Sequence, residues 1–323
     1  MGKKEMKSPK RIELANLPTP LQKVKFDGCS FYVKRDDLTG LELSGNKVRK
    51  LEYLLSDAKR KKADYVFTVG GDQSNHCRAT AIAASSLGLK TKLFLWGKEN
   101  KAAEGNQFFY NLTGAEKVFL NKEKYQKVET IAFKEKEKYE KKNKKVYWIP
   151  EGGSDALGIL GYANFVGELL RQTEPKKFQG ILSAAGTGGT AAGLLLGFAM
   201  NNLKKKVFAV NVLYPVDVLR EKIINVTENA IEKFKLKIKI NYDDLIILDG
   251  YNGGGYKKVW KESVELSKMF FKETTILTDQ VYTGKAFSAY YDNFARNKKS
   301  NKIIFLHTGG LFGIFPKRKF YVK

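Results

Sequence analysis

The sequence predicts an α/β protein with a mostly parallel sheet. Short apolar runs, typical of buried strands, alternate along the chain with helical segments, and this order indicates βαβ units. The chain has 323 residues, of which 43% are hydrophobic, so it can bury a substantial core. At roughly 150 residues per domain, this length suits two domains or one large α/β unit. Composition alone marks no domain boundary, because the chain shows no internal repeat and no Pro/Ser-rich linker.

Seven runs have the pattern of buried strands, each of them short and mainly apolar. They are Tyr65–Gly70, Lys92–Gly97, Lys117–Leu120, Val146–Ile149, Gly180–Ala184, Val207–Leu213 and Ile303–His307. Helices are predicted between several of these strands, at Ser74–Leu87, Glu123–Asn143, Thr190–Met200 and Val216–Ile224. Since ligands of parallel sheets bind beyond the carboxyl ends of the strands, we expect the functional residues on the strand-to-helix turns.

The chain is strongly basic, with 58 Lys plus Arg against 34 Asp plus Glu and a net charge of +24. Such an excess suggests nucleic-acid binding. The excess is lysine, however, with 49 lysines against 9 arginines, whereas readers of nucleic acids rely on arginine for bidentate contacts. In the densest stretch, Lys122–Lys145, glutamates alternate with the lysines as on a solvated helix face. We therefore favour a lysine-biased surface and expect no nucleic-acid partner. A basic nucleic-acid-binding protein without activity is the alternative from a different class.

The sequence does not have the features of a membrane, secreted, disulfide-rich or metal-binding protein. No apolar run reaches the ~18 residues needed to cross a bilayer, and the Lys-rich segment Met1–Arg11 lacks the apolar stretch of a secretory signal. Two cysteines, Cys29 and Cys77, provide no disulfide framework. The two histidines, His76 and His307, show no metal-ligand spacing. We expect a cytoplasmic protein with no membrane partner and no metal site.

The turn Ala185–Thr190 (AGTGGT) is the first candidate binding site. Its glycines let the backbone approach a ligand, and the free N–H groups at the start of the next helix form an anion site. Thr187 and Thr190 add hydroxyl donors. The turn lacks the Lys-Ser/Thr ending of a Walker A loop, and no acidic residue follows about 20 positions later for a dinucleotide ribose. We favour a single phosphate monoester as ligand, although a turn that only packs a helix on the sheet has the same composition.

Two further turns carry polar residues in unusual concentration. Gln73, Ser74 and Asn75 cluster at a helix start, where one of them would be enough as an N-cap. Their side chains and the free N–H groups of the helix could hold a carboxylate. Lys47 follows Ser44-Gly45-Asn46 just inside another predicted helix. Composition cannot single out one lysine among 49, so its selection depends on the residues around it.

Taken together, the motifs resemble the D-cysteine desulfhydrase and 1-aminocyclopropane-1-carboxylate (ACC) deaminase family, which comprises pyridoxal 5'-phosphate (PLP) enzymes of fold type II, the tryptophan synthase β-like fold. From about Ile12 to about Phe312 they follow the family's order: SGNKVRKLEYLL, GGDQSNHCRATA, GGSDALGILGY, GTGGTAAG, TDQVYTGKAF and HTGGLFG. The resemblance implies a two-domain, three-layer α/β/α architecture with mostly parallel twisted sheets. A smaller α/β domain, residues 51–158, would be inserted into a large PLP-binding domain of residues 1–50 and 159–323. It also implies a homodimer, a small amino-acid substrate, and a cofactor between the domains.

The resemblance assigns roles to the residues that match the family's motifs. Lys47 matches the lysine that links covalently to PLP, Asn75 the partner of the ring hydroxyl, and Ser74 a participant in proton transfer. The lysines other than Lys47 are expected to be mostly solvated. The assigned residues are, for catalysis, Lys47, Ser74, Tyr256 and Tyr282; for the cofactor, Lys47, Asn75, Thr187, Gly188, Gly189, Thr190, Thr283 and Thr308; and for the substrate carboxylate, Gln73, Ser74 and Asn75.

The position after the second active-site tyrosine separates two activities within this family. The ring-opening enzymes carry Glu there, and a carboxylate keeps the pyridine nitrogen protonated and makes the ring a strong electron sink. This chain has Thr283. A hydroxyl leaves a weaker sink, which is adequate when a thiolate leaves, and His76 and Thr308 also match desulfhydrase-like members. We therefore expect α,β-elimination of D-cysteine to pyruvate, ammonia and hydrogen sulfide. ACC deamination, sulfo-lyase activity on cysteate and racemisation are the alternatives on the same fold.

The purified protein is expected to carry PLP and to show the cofactor's absorption band in the visible range. Lys47→Ala should abolish this band, because the amine that links the cofactor is lost. Absorption spectra of the two proteins provide the measurement. A colourless protein that cannot be reconstituted with PLP, but binds DNA or RNA in a salt-sensitive manner, would instead support the nucleic-acid alternative.

Overall fold

The computed structural model of the protein describes residues 9–296 and 302–322. Sequence predictions that fall on residues 1–8, including most of the Lys-rich segment Met1–Arg11, lie outside the described residues. The strands are β1 (Leu21–Phe26), β2 (Cys29–Arg35), β3 (Tyr65–Gly71), β4 (Lys90–Trp96), β5 (Glu116–Leu120), β6 (Val146–Ile149), β7 (Gly180–Ala185), β8 (Lys206–Asn211), β9 (Leu245–Leu248) and β10 (Ile303–His307). The helices are α1 (Lys47–Arg60), α2 (Asn75–Ser86), α3 (Asn106–Leu112), α4 (Lys122–Tyr125), α5 (Val128–Glu140), α6 (Leu160–Gln172), α7 (Gly189–Met200), α8 (Val216–Lys233), α9 (Lys261–Thr274) and α10 (Thr283–Tyr290).

The strands form two sheets, as an α/β protein with mostly parallel sheets requires. The larger sheet has six strands in the order β1-β2-β10-β7-β8-β9, and only the β1–β2 pair among these described strands is antiparallel. The smaller sheet has four parallel strands in the order β5-β4-β3-β6. The predicted fold class is therefore confirmed. All strands of the smaller sheet lie between Tyr65 and Ile149, while the exact domain boundaries stay a prediction.

The local predictions differ from the structure where the sequence signal was weak. The hairpin β1–β2 was not predicted, because β1 (LQKVKF) lies at the sheet edge and carries two exposed lysines. The predicted charged helix Glu123–Asn143 is wrong in its continuity. Asn121 caps the short helix α4 by accepting a hydrogen bond from the Lys124 N–H, and α5 begins only at Val128. Charge alternation indicated a solvated helix here but did not locate the break.

A buried network of charges joins β2, α1 and α6. Arg49 donates to Asp36 at 2.8 Å and to both carboxylate oxygens of Glu168 at 2.8 and 3.0 Å. Lys34 Nζ lies 2.5 Å from Glu168 Oε1, and the Tyr162 hydroxyl donates to Asp36 at 2.5 Å. The two cations and two carboxylates balance, which is the condition under which such a cluster tolerates burial. The network fixes the position and rotation of α1.

A glycine allows α6 to approach α1 closely enough for this network. A Cβ atom at Gly161 would lie 2.3 Å from the carbonyl oxygen of Arg49. Any larger residue at this position would push the two helices apart and separate Arg49 from Glu168.

Glu168→Gln should destabilise the protein by about 3–5 kcal/mol, because it leaves the two cations Lys34 and Arg49 with Asp36 as the one carboxylate of the network. Burial alone would raise the pKa of Glu168, but the hydrogen bonds and charges of Arg49 and Lys34 lower it from 4.5 to about 2. Its stabilising effect is therefore complete above pH 4.5 and is lost as the pH falls towards 2. Urea unfolding of both proteins between pH 7 and pH 3 measures this difference.

The matched control is Glu174→Gln, which removes an exposed carboxylate paired with Lys176 and Lys177. Such surface pairs contribute about 1 kcal/mol or less. Equal losses of unfolding free energy in the two variants would contradict the importance of the buried network.

Candidate functional site

A cavity lies at the carboxyl ends of β3, β7 and β10, beside the start of α1. It is the place where the sheet topology predicts a ligand. Among the residues predicted from the sequence, the cavity lining contains Lys47, Ser74, Asn75, Thr187, Gly188, Gly189, Thr190, Tyr256, Tyr282 and Thr308. Gln73 and Thr283 are not part of this lining. Residues from distant parts of the chain therefore converge on one site.

Lys47 is the first residue of α1, and its amine faces the cavity. The turn before it is fixed by two contacts, from the Asn46 side chain to Thr190 Oγ1 at 3.0 Å and from the Asn46 N–H to the Thr308 carbonyl at 3.1 Å. Burial lowers the pKa of Lys47 to about 8, against the opposing influence of the Glu151 charge. A substantial fraction of the amine is therefore neutral and nucleophilic near pH 8.

The turn between β7 and α7 forms a cradle of backbone N–H groups. Gly188 is the N-cap of the 12-residue helix α7 and has a left-handed backbone, with φ of 82°. A Cβ atom there would lie 2.5 Å from Ile223 Cγ1, so only glycine fits without displacing its neighbour. The Thr187 hydroxyl lies 2.7 Å from the Ser154 hydroxyl across the cradle. Free N–H groups and the helix dipole favour an anion at this point.

Lys50 brings a buried amine to the same cradle, and the sequence reasoning did not identify it. Its Nζ lies 3.1 Å from both the Gly152 carbonyl oxygen and Ser154 Oγ, and a Cβ at Gly189 would lie only 2.6 Å from it. Burial, followed by the charge of Lys47, lowers the pKa of Lys50 well below its ordinary value. Its hydrogen-bond partners are neutral, so an anionic ligand would stabilise its charged form.

The sequence contained a signal for Lys50. In KVRK the two lysines are three residues apart, so they share one face of the helix. The expectation that the lysines other than Lys47 are mostly solvated needs correction at four positions. Lys34, Lys50, Lys92 and Lys285 are all buried.

At the start of α2, Ser74 is the N-cap, and its Oγ accepts from the Cys77 N–H at 3.2 Å. The hydroxyl proton of Ser74 can still donate to a ligand. Asn75 Oδ1 accepts from the Asn106 side chain at 3.0 Å, which orients the Asn75 amide group as a donor. Gln73 has another position. Its amide bonds the Asn106 N–H at 2.8 Å and the Glu104 carbonyl at 3.0 Å, in an outer cleft beside the cavity.

Tyr256 and Tyr282 form a pair in which the two hydroxyl groups are hydrogen-bonded to each other. Burial raises the pKa of both, so both hydroxyls keep their protons at neutral pH. The loop that carries Tyr256 is held by Lys285, whose Nζ donates to the carbonyls of Asn252 at 2.7 Å and Gly255 at 2.9 Å. The two hydroxyls are thus held in fixed positions at the wall of the cavity.

Thr283 and Thr308 have different surroundings. The Thr283 hydroxyl donates to Asp279 Oδ1 at 2.7 Å and accepts from the Asp279 N–H at 2.8 Å. These bonds occupy it at the start of α10, outside the cavity lining. Thr308, directly after β10, lines the cavity. Of these two threonines, Thr308 is therefore the one that a ligand in the cavity can contact.

Glu151 brings a carboxylate to the cavity, and the sequence reasoning did not identify it either. Its Oε1 accepts from the Tyr125 hydroxyl at 2.8 Å, and its Oε2 accepts from the Tyr214 hydroxyl at 3.1 Å. In the sequence, Glu151 stands between Pro150 and two glycines and is typical of an exposed turn.

Comparison with known proteins assigns the chain to a family. Residues 12–309 match the family described as pyridoxal-phosphate dependent enzymes. The chain belongs to this family. It is 42% identical to a Thermotoga maritima protein named "Putative 1-aminocyclopropane-1-carboxylate deaminase", over 96% of this chain and 99% of that one. It is 38% identical to the mitochondrial bifunctional D-cysteine desulfhydrase/1-aminocyclopropane-1-carboxylate deaminase of Arabidopsis thaliana, over 95% of this chain and 79% of that one.

The fold agrees with this assignment. A crystal structure of an ACC deaminase homologue superposes with a TM-score of 0.88 at 37% identity, covering 97% of this chain and 96% of that chain. The protein is therefore a PLP-dependent enzyme of the D-cysteine desulfhydrase and ACC deaminase family. Within residues 9–296 and 302–322, no helix combines the length and the hydropathy that crossing a bilayer demands.

The chemistry of the cavity fits PLP. Lys47 offers a partly neutral amine for the aldehyde. The N–H groups at the start of α7 and the buried Lys50, which has no carboxylate partner among its hydrogen bonds, suit a phosphate. Asn75 and Thr308 present an amide donor and a hydroxyl to the same cavity.

Lys50→Met should weaken the binding of PLP about 10- to 100-fold, because a hydrogen bond to a charged group contributes about 1.5–3 kcal/mol. Pyridoxal, which lacks the phosphate, should bind both proteins equally. Absorbance titration of the cofactor-free proteins gives the two affinities. Lys59→Met, at an exposed position of the same helix, is the matched control and should behave like the wild type. Equal weakening of PLP and pyridoxal would contradict a role for Lys50 at the phosphate.

Proposed function

We propose that the protein is a PLP-dependent lyase that converts D-cysteine to pyruvate, ammonia and hydrogen sulfide by α,β-elimination. The observation that carries this proposal is the arrangement of three groups in one cavity. These are the partly neutral Lys47 amine, the protonated pair Tyr256 and Tyr282, and the hydroxyl of Thr308. Because Thr283 lies outside the cavity lining, we assign the ring nitrogen of PLP to Thr308 instead. The three groups match a base, an acid and a neutral partner of the ring nitrogen, which leaves PLP a weaker electron sink.

When bound, PLP supplies the electron sink that delocalises the negative charge left at Cα of the substrate. Lys47 Nζ is the group that we assign to the removal of the Cα proton, because its lowered pKa suits a general base near neutral pH. Ser74 Oγ lies on the opposite turn and is the alternative base. The contacts of Asn46 keep the start of α1 in place during the transfer.

The substrate carboxylate is assigned to the start of α2. The hydroxyl proton of Ser74, the amide group of Asn75 and the free N–H groups of the helix are the donors available there. Gln73 is assigned an indirect role, because its amide already binds the 104–106 segment. In that position it holds Asn106, which in turn orients Asn75.

The tyrosine pair is assigned to the leaving group. As the Cβ–S bond breaks, the sulfur leaves with the bonding electrons and takes a proton from Tyr282 or Tyr256. The shared hydrogen bond lets the second hydroxyl replace this proton. The raised pKa values of both tyrosines favour this acid role over a role as the base.

ACC deamination is the second candidate, because it appears in the names of two relatives that cover most of the chain. A cyclopropane carbon is a much poorer leaving group than a thiol and demands a stronger sink. A hydroxyl partner at the ring nitrogen leaves PLP a weaker electron sink, which favours a substrate with a thiol leaving group over ACC.

We also propose that residues 51–158 form the inserted domain, and that the protein is a homodimer.

The test is the release of oxo acids from D-cysteine, L-cysteine, L-cysteate, D-serine and ACC by the holoenzyme. Pyruvate from D-cysteine should exceed all other products. Tyr282→Phe should lower kcat for D-cysteine about 10²- to 10⁴-fold, the usual contribution of a general acid. Tyr242→Phe, whose hydroxyl bonds Glu228 near the surface, is the control and should leave kcat unchanged. Formation of 2-oxobutanoate from ACC alone would overturn the proposal in favour of the second candidate.

A further inference from the structure

Glu151 is the only acidic residue in the lining of the cavity, within the part of the chain that the structure describes. The steps of the proposed reaction assign it no role. A carboxylate beside a cofactor site is costly when half-buried, so its presence there needs an explanation.

Two tyrosines hold this carboxylate in a fixed orientation. Tyr125 belongs to α4, next to the four-stranded sheet, and Tyr214 follows β8 of the six-stranded sheet. Each donates to a different oxygen of Glu151, at 2.8 and 3.1 Å. Burial and the Glu151 charge raise the pKa of both tyrosines, so they stay protonated and remain donors. The negative charge is therefore held in place rather than carried on a mobile side chain.

The field of Glu151 acts on the part of the cavity that holds Lys47 and the tyrosine pair. Tyr125, which donates to Glu151, lies beside Trp96 with ring centroids 6.1 Å apart, and Trp96 in turn stacks on Tyr256 at 6.4 Å. Burial is the main cause of the raised pKa of Tyr256 and Tyr282, and the charges of Asp279 and Glu151 raise it further. The Glu151 charge opposes the lowering of the Lys47 pKa by burial. Lys50, the second lysine of the lining, donates to Gly152 and Ser154 at the anion cradle instead. The carboxylate of Glu151 is thus bonded to the hydroxyls of Tyr125 and Tyr214, and the Lys50 amine is bonded to the cradle.

We propose that Glu151 is a specificity-determining residue that excludes amino acids with an anionic β-substituent, such as a sulfonate, carboxylate or phosphate. This inference rests on the proposed binding of an amino acid in this cavity with its β-substituent towards Tyr256 and Tyr282. A neutral substituent, such as a thiol, meets no repulsion there. A second negative charge meets a fixed like charge in a poorly solvated space, a penalty of about tenfold or more in affinity.

The same charge bears on how a leaving group departs. A sulfur atom that leaves as an anion would be repelled by Glu151, whereas a sulfur that takes a proton from Tyr282 leaves neutral. Glu151 therefore favours a departure in which the tyrosine pair protonates the sulfur. It also disfavours the sulfo-lyase reaction on cysteate, since sulfonate carries a permanent charge.

The test uses aspartate and asparagine, which are nearly equal in shape and differ in the charge of the β-substituent. Both enantiomers of each are titrated into the holoenzyme and followed by the change in cofactor absorbance. The wild type should bind the preferred enantiomer of asparagine at least about tenfold more tightly than the same enantiomer of aspartate. In Glu151→Gln this ratio should fall to within about threefold of one, because the charge is lost while the size is kept.

Two further variants separate charge from structure. Glu151→Asp keeps the charge and should keep a preference for asparagine. Glu99→Gln removes an exposed carboxylate from the outer cleft, where Glu99 pairs with Lys117 at 2.8 Å. It changes the net charge as Glu151→Gln does, and should show the wild-type ratio. Thermal melting and the cofactor band verify that every variant is folded and loaded.

The inference fails if the wild type shows no preference for asparagine, including the case in which neither isostere binds. It also fails if Glu151→Gln keeps the wild-type ratio, or if Glu99→Gln abolishes the ratio equally. Pyruvate release from D-cysteine is measured separately. A preserved asparagine preference without D-cysteine turnover would refute the proposed function and leave the role of Glu151 standing. D-cysteine turnover without an asparagine preference would refute the role of Glu151 and leave the proposed function standing.

Discussion

The cavity depends on the buried ion network around Arg49. Because Arg49 is bound to Asp36 and Glu168 on one side of α1, the first turn of this helix has a single orientation. Lys47 and Lys50 then project from the other side towards the cradle and the tyrosine pair. The network lies outside the cavity, yet it decides where both amines are placed. A substitution that removes one charge of the network would displace Lys47 and Lys50, although none of the network residues lines the cavity.

The cavity combines groups that would be unfavourable separately. Lys50 is a buried amine whose hydrogen bonds go to neutral oxygens, and burial disfavours its charged form until an anion binds. Glu151 is a carboxylate whose hydrogen bonds come from neutral hydroxyls, which replace part of the water that it has lost. A ligand with an anionic group at the Lys50 amine and a neutral group near Glu151 is complementary to this pattern.

The sequence predicted the site best where one short, continuous motif forms a single turn of the cavity. GTGGT and QSN predicted an anion cradle and a polar helix start, and both turns line the cavity. Lys50 and Glu151 escaped prediction, because a lysine among 49 and a glutamate beside glycines have ordinary surface explanations. Their meaning comes from tertiary contacts alone. The antiparallel hairpin β1–β2 was also missed, since its lysines conceal the strand pattern at a sheet edge.

The position of β10 in the larger sheet has a consequence for biosynthesis. This strand is the last of the described strands in the chain, yet it lies between β2 and β7, near the middle of the sheet. Thr308, directly behind it, supplies the carbonyl that binds the N–H of Asn46. A nascent chain can assemble the four-stranded sheet on the ribosome, but the turn before Lys47 gains its partner only when β10 has emerged. The turn that presents Lys47 is therefore complete only after β10 has joined the sheet.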